Sequence, residues 1–261
     1  MMRTILRKSA LLGIAAAITL QAHAQSGNFT VSQNGTAVGT ATYSVKALAQ
    51  GYDSTSLVRI SMQGLNYALS KTEQLDASNR PRQVVLNGTV NGSAVSIIGK
   101  PDAGQFLLNI SANGRSSTTR LATHANSVVI ADFDAGALET LLVLASQQNN
   151  RDLWAVIPKN AGTIEPIRLA TYADQQGTLD GKPIVAHHLV ATIAGATTDL
   201  FSGPENQLLQ AELPQQGFAL VRKGFVLTPP AKPGAPPPQP VAPAAPAAQK
   251  PAPAAQKPVT Q

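Results

Sequence analysis

Few residues of this chain can do chemistry by type: three histidines beyond residue 25, two aspartates two residues apart, and a single tryptophan. His187 and His188 are adjacent within a run of strand chemistry. Neighbouring strand residues point to opposite faces, so the two rings cannot share one metal ion. His124 stands alone, and no His-Glu-x-x-His or comparably tight ligand spacing occurs. The chain has no cysteine, which removes thiol nucleophiles, disulfides and thiolate-held metals. Asp132-Phe133-Asp134-Ala135-Gly136 ends one stretch of strand character and opens a helical one. Carboxylates at a strand end can serve acid–base chemistry. However, alanine occupies the place where an aspartic-protease turn carries Ser or Thr, and the motif has no second copy. Helix capping is the economical reading of Asp134. Gly-x-Ser-x-Gly, Ser-x-x-Lys and Gly-x-x-x-x-Gly-Lys are all missing. The residues thus point to no catalytic group, no metal and no cofactor, and a hydrolase lacking these motifs stays open as an alternative. Trp154 either lines a pocket or belongs to the core.

The elements that must position these residues are mostly strands. Asn34-Gly35, Asn87-Gly88, Asn91-Gly92, Asn113-Gly114 and Asp180-Gly181 separate extended runs. Such pairs mark hairpins, because both residues tolerate positive φ. The runs between them are rich in Val, Ile, Thr and Leu: 36–45, 57–62, 83–86, 94–98, 105–110 and 127–131 in the first half. After residue 180 come 184–193, 197–201, 207–213 and 218–227. About a dozen strands at these spacings predict antiparallel meanders. One segment differs. Leu138, Leu141, Leu142 and Ala145 recur at helical spacing within 137–146, with Asp134 or Gly136 placed to cap the start. The expected fold is mainly β: a large curved antiparallel sheet, or half-barrel, with one main helix packed on one face. Leu138, Leu141 and Leu142, with Trp154, are the candidate lining of a ligand cavity in the sheet's concavity.

Both ends of the chain differ from its middle. Arg3, Arg7 and Lys8 precede the apolar run 10–20, and Ala22-His23-Ala24 follows as a small-x-small site. This order reads as a secretory signal peptide over 1–24, with mature protein starting near Gln25. The apolar run is shorter than the roughly 20 residues a bilayer span needs, and no later stretch is long enough for an integral membrane span. The reading predicts a periplasmic or secreted protein. From Pro229 onward, 12 of 33 residues are proline, and 245–251 repeats as 252–258. A chain of this composition buries no core and stays extended. At polyproline II pitch it reaches on the order of 100 Å, enough to contact the cell wall or an envelope protein. The domain in between, 25–228, is neutral. The formal charge is +6, but six basic residues lie in the two end segments. The remaining 14 face 14 acidic residues. No basic stripe is left, and nucleic acid is excluded as a partner.

The order of elements in the second half carries a resemblance. A strand and a helix lead to Trp154-Ala-Val-Ile-Pro158, then to 167–172, then to Leu179-Asp-Gly-Lys-Pro-Ile-Val-Ala-His187. Glu205-Asn-Gln-Leu-Leu-Gln-Ala-Glu-Leu-Pro214 and Gly217-Phe-Ala-Leu-Val-Arg222 close it, and Gly39-Thr-Ala-Thr-Tyr-Ser44 opens the first half. Over about 28–227 the chain resembles the periplasmic proteins of unknown function whose sheets are like the lipoprotein-carrier (LolA/LolB-like) half-barrel. The resemblance implies a curved sheet wrapping a helix and, as in the carriers, a cavity for acyl chains. It carries over no catalytic residue. The leading expectation is a non-catalytic envelope module for an apolar or lipid-like small molecule. The alternatives are a structural or assembly protein tethered through the proline-rich tail, and the unrecognised hydrolase.

Overall fold

The computed structural model describes residues 25–148, 151–159 and 161–229. The signal-peptide reading and nearly all of the proline-rich tail fall outside these residues. The first eight strands are β1 (Gln25–Gln33), β2 (Thr36–Leu48), β3 (Gly51–Met62), β4 (Leu65–Leu75), β5 (Pro81–Val90), β6 (Ser93–Asp102), β7 (Gln105–Ala112) and β8 (Arg115–Ala122). Each pairs antiparallel with the next. Asn34-Gly35, Asn91-Gly92 and Asn113-Gly114 make the expected tight turns, with φ of 49°/81°, 49°/79° and 53°/70°. Both central residues sit in the left-handed region that hairpin turns of this type require.

Asn87-Gly88 does not turn. It lies inside β5, paired with Ser70 and Leu69 of β4. Asn87 accepts a hydrogen bond from Ser96 at 2.8 Å. A Cβ on Gly88 would collide with the Ala68 carbonyl oxygen, so the glycine serves close strand approach rather than a bend.

The second half begins with a crossover. β9 (Ser127–Val129) leads through α1 (Ala135–Gln147) to β10 (Leu153–Ile157), and β9 and β10 pair in parallel. Parallel neighbours need such a connection, and α1 supplies it. Antiparallel pairing resumes with β11 (Thr163–Thr171), β12 (Gln175–Leu179), β13 (Lys182–Ile193), β14 (Ala196–Ser202), β15 (Leu208–Leu213), β16 (Phe218–Arg222) and β17 (Phe225–Leu227). β16 pairs with β1 and joins the two halves into one curved sheet. The hydrogen-bonded ladder runs from β8 back to β1, across to β16, and on through β15, β14, β13, β11 and β10 to β9. At one corner β12 bridges β13 and β17, enclosing Ala186, Phe201, Leu209 and Phe225. Leu208 to Ala211 are therefore buried on both faces.

Asp134 caps α1, its carboxylate accepting from the Ala137 amide at 3.1 Å. The helix lies in the concavity, where ten of its 13 residues are buried. Its burial is all-round: Leu144 and Glu139 are as hidden as the expected apolar stripe. Gly136 brings the first turn close to β2 and β3, since a Cβ there would lie 3.2 Å from the Tyr43 Cβ and 3.4 Å from the Ser56 Cβ. Leu141, fully buried at 0% exposure, has no route to solvent on truncation. Leu141→Ala is expected to cost about 2–5 kcal/mol, seen in urea denaturation as a lower midpoint at unchanged slope.

Candidate functional site

The inner face of the meander is covered unevenly. α1 packs over β2 and β3, in the main core with Phe29, Tyr43, Val58 and Ile60. β9 and β10 cover the far strands, where Val129 and Val156 meet Val84, Leu108 and Leu121. Between these two cores, at the end of the sheet where β3–β4, β5–β6 and β7–β8 turn, lies a cavity of about 850 Å³. Leu69, Leu86, Ile97 and Ile110 roof it from β4 to β7, while Ile130 to Phe133 and Ile157, Pro158, Lys159 and Ala161 form the opposite wall, closed by Phe218. Polarity in the lining is sorted by depth. Each Leu, Ile, Val, Phe and Tyr of the lining is buried or half-buried, whereas Asn113, Arg115, Ser116, Ser117, Asp132, Lys159 and Gln216 are exposed. An apolar interior with a few polar groups at its mouth is the usual constitution of a small-molecule site, and the volume lies within the usual range of about 300–1,000 Å³.

The wall from Ile130 to Phe133 is held at both ends by one side chain. Lys71 of β4 points inward and is almost entirely buried, and its ammonium lies 2.6 Å from Asp134 and 3.1 Å from Glu73. It also donates to the Val129 carbonyl at 3.2 Å. In the middle of the segment, the Tyr67 hydroxyl donates to the Asp132 carbonyl at 3.2 Å. Phe133 has φ 59°, a region costly for a side chain of its size. It is wedged edge-on between Tyr67 (5.9 Å) and Phe218 (4.7 Å).

Burial works against the Lys71 charge, but Asp134 and then Glu73 outweigh it and hold the ammonium above its ordinary range. Burial lifts the Glu73 carboxyl above the usual glutamate value, more than Lys71 lowers it. Glu139 is raised in the same way, against the Leu208 amide that bonds it at 2.6 Å. Asp134, the stronger of the two partners, holds the ammonium charged, so the cluster ties β4 to the start of α1. Ser56 stands directly opposite Lys71 and Ser54 opposite Glu73, and neither is activated by it.

The residues singled out in the sequence fall elsewhere. Leu138, Leu141 and Leu142 are core residues under the sheet, and none of them lines the cavity. Trp154 does not line it either: it is half-buried, stacked on His124 at 3.6 Å, and donates to Asp152 at 3.0 Å. His124 borders a separate hollow of about 370 Å³ with Arg80 and Arg82. His187 and His188 diverge as strand geometry requires, His187 toward Asp174 (3.0 Å) and His188 toward Asp199 (2.8 Å), stacked on Phe201. Asp132 and Asp134 also part: Asp132 pairs with Lys159 at the cavity mouth at 3.0 Å, and Asp134 turns into the core.

The chain matches no protein-family model, no curated protein and no solved structure. The reading of the cavity accordingly rests on its own geometry.

Removing one member of a buried ion cluster leaves the others uncompensated, at a cost of about 3–5 kcal/mol. Lys71→Met is expected to lose that much in urea denaturation at pH 7. Glu73 tests the proton balance. Its folded form keeps a proton that the unfolded chain releases above about pH 4.3. The native state therefore binds more protons, and this contribution to stability declines as pH rises. Glu73→Gln keeps the shape and removes the titration, so its stability relative to wild type is expected to improve as pH rises above the unfolded glutamate value. A difference independent of pH would contradict this assignment.

Proposed function

We propose that this protein is an exported envelope protein that binds, without catalysis, an apolar or lipid-like small molecule in the cavity beneath the meander. The observation that carries the reading is the 850 Å³ space lined by Leu, Ile, Val, Phe and Tyr, open at one end. Two cores pack against the same sheet and leave this interval between them. An apolar surface of this extent favours burial against an apolar molecule. The N-terminal sequence pattern supports export, and the neutral charge of 25–228 suits a small, largely apolar ligand better than a nucleic acid or an anionic surface. The resemblance to carrier half-barrels points the same way.

The measurement is native mass spectrometry of the full chain, expressed with its N-terminal segment and recovered without detergent. A reproducible adduct that leaves on denaturation is expected, and its mass gives the chemical class. Val95→Trp fills the cavity from β6 and is expected to abolish the adduct with the far-UV spectrum unchanged. Ile98→Trp, three residues on and 42% exposed on the outer face, is expected to keep it. A wild-type chain that stays at its bare mass after incubation with envelope lipids would sink the proposal.

A further inference from the structure

The charges at the cavity mouth are not balanced. Lys159 and Asp132 face each other at 3.0 Å and neutralise one another. Arg115, at the start of β8 beside the Asn113-Gly114 turn, has no carboxylate within 4.0 Å among the described residues. Ser116, Ser117 and the Asn113 amide stand next to it on the same rim. The mouth therefore carries one uncompensated guanidinium with hydrogen-bond donors beside it, above an interior with no charge. A planar guanidinium binds carboxylate or phosphate oxygens through paired N–H donors. The volume matches one small ligand rather than a lipid with several chains.

We infer that the cavity takes a single-chain amphiphile with an anionic head group, the chain lying under β4–β7 and the head meeting Arg115 at the mouth. This deepens the proposed ligand-binding reading and rests on it. The head can be a carboxylate, as in a free fatty acid, or a phosphate, as in a lysophospholipid or alkyl phosphate, and the probes separate the two. Dodecanoate, dodecyl phosphate, dodecanol and dodecylamine are titrated calorimetrically into the full chain, each below its micelle concentration and at low salt. Both anions are expected to bind at least tenfold tighter than the alcohol, with the amine weakest. The tighter anion identifies the source. Arg115→Gln is expected to weaken the anions five- to tenfold and leave dodecanol unchanged. Arg115→Glu is expected to reverse the order in favour of the amine. Because Arg115 is exposed at a hairpin, both variants keep the fold, checked by far-UV circular dichroism. Equal binding of acid and alcohol, or an anion preference that survives Arg115→Gln, would overturn this inference while leaving the cavity reading intact. Failure of all four probes to bind would overturn both.

Discussion

The ammonium of Lys71 is the contact on which the arrangement of this domain turns. β4 is a long, regular member of the meander, and without an inward cation it would be one more apolar strand. With it, one charge joins Glu73 on the same strand to two points far along the chain, the Val129 carbonyl at the end of β9 and Asp134 at the start of α1. Asp134 thus does two jobs. Its carboxylate accepts from the first helical turn and faces the ammonium, so the helix start is tied to the sheet and not merely capped. Burying three ionisable groups together is expensive, and an apolar replacement of the set is often neutral or better. What the charges supply here is position. Apolar contacts slide, whereas a short ion pair with a defined angle does not.

The consequence reaches the cavity directly. Ile130 to Phe133 span the interval between Val129 and Asp134, the two points where Lys71 holds the chain. Tyr67, four residues before Lys71 on the same face of β4, grips the carbonyl in the middle. A four-residue wall pinned at both ends and at its centre can keep Phe133 at positive φ. That conformation sets the ring edge-on against Phe218. The cost is of order 1–3 kcal/mol, and it is met by contacts on either side of the ring. The opposite wall, with Pro158, Lys159 and Ala161, follows β10, the parallel partner of β9. Both walls are thus the segments that leave the carboxyl ends of a parallel pair, the place where open sheets with crossovers commonly form their crevices.

Much of this was legible in the residues. Three of the Asn-Gly pairs and Asp180-Gly181 turn as their chemistry demands, because positive φ is a local property. The helix and its Asp134 cap are local too. β4 was missed because its inward positions read Tyr67, Leu69, Lys71, Glu73 and Leu75, and two charges break the apolar alternation that marks a strand. β8, Arg-Ser-Ser-Thr-Thr-Arg-Leu-Ala, was missed because it edges the sheet and buries little but Leu121. Asn87-Gly88 misled because its glycine answers to the neighbouring strand, a contact 19 residues away. The cavity residues were out of reach for the same reason. They come from seven strands and the segments that join them, and no window of sequence contains them together. Leu138, Leu141 and Leu142, the expected cavity lining, lie in the main core instead, because helical spacing tells which residues are covered and not what covers them.

The cavity is also what the element count requires. Eight strands spaced about 4.8 Å apart present a face nearly 40 Å wide. A 13-residue helix is about 20 Å long and, with side chains, about 10–12 Å across, so α1 covers two or three strands and no more. β9 and β10 roof the far end as a narrow parallel pair of three and five residues. The interval between the two covers has to be filled by side chains or left open. Filling it would take large residues on the facing strands, yet β5 and β6 offer Leu86, Val90, Val95 and Ile97 there, and the chain as a whole carries only 4% aromatics. The space stays open because the residues around it are too small to meet across it. It stays in shape because Lys71 prevents the wall from collapsing inward. A packing fault would be lined indifferently. Here the apolar groups lie deep and the charges at the lip, the arrangement on which the proposed ligand-binding reading rests.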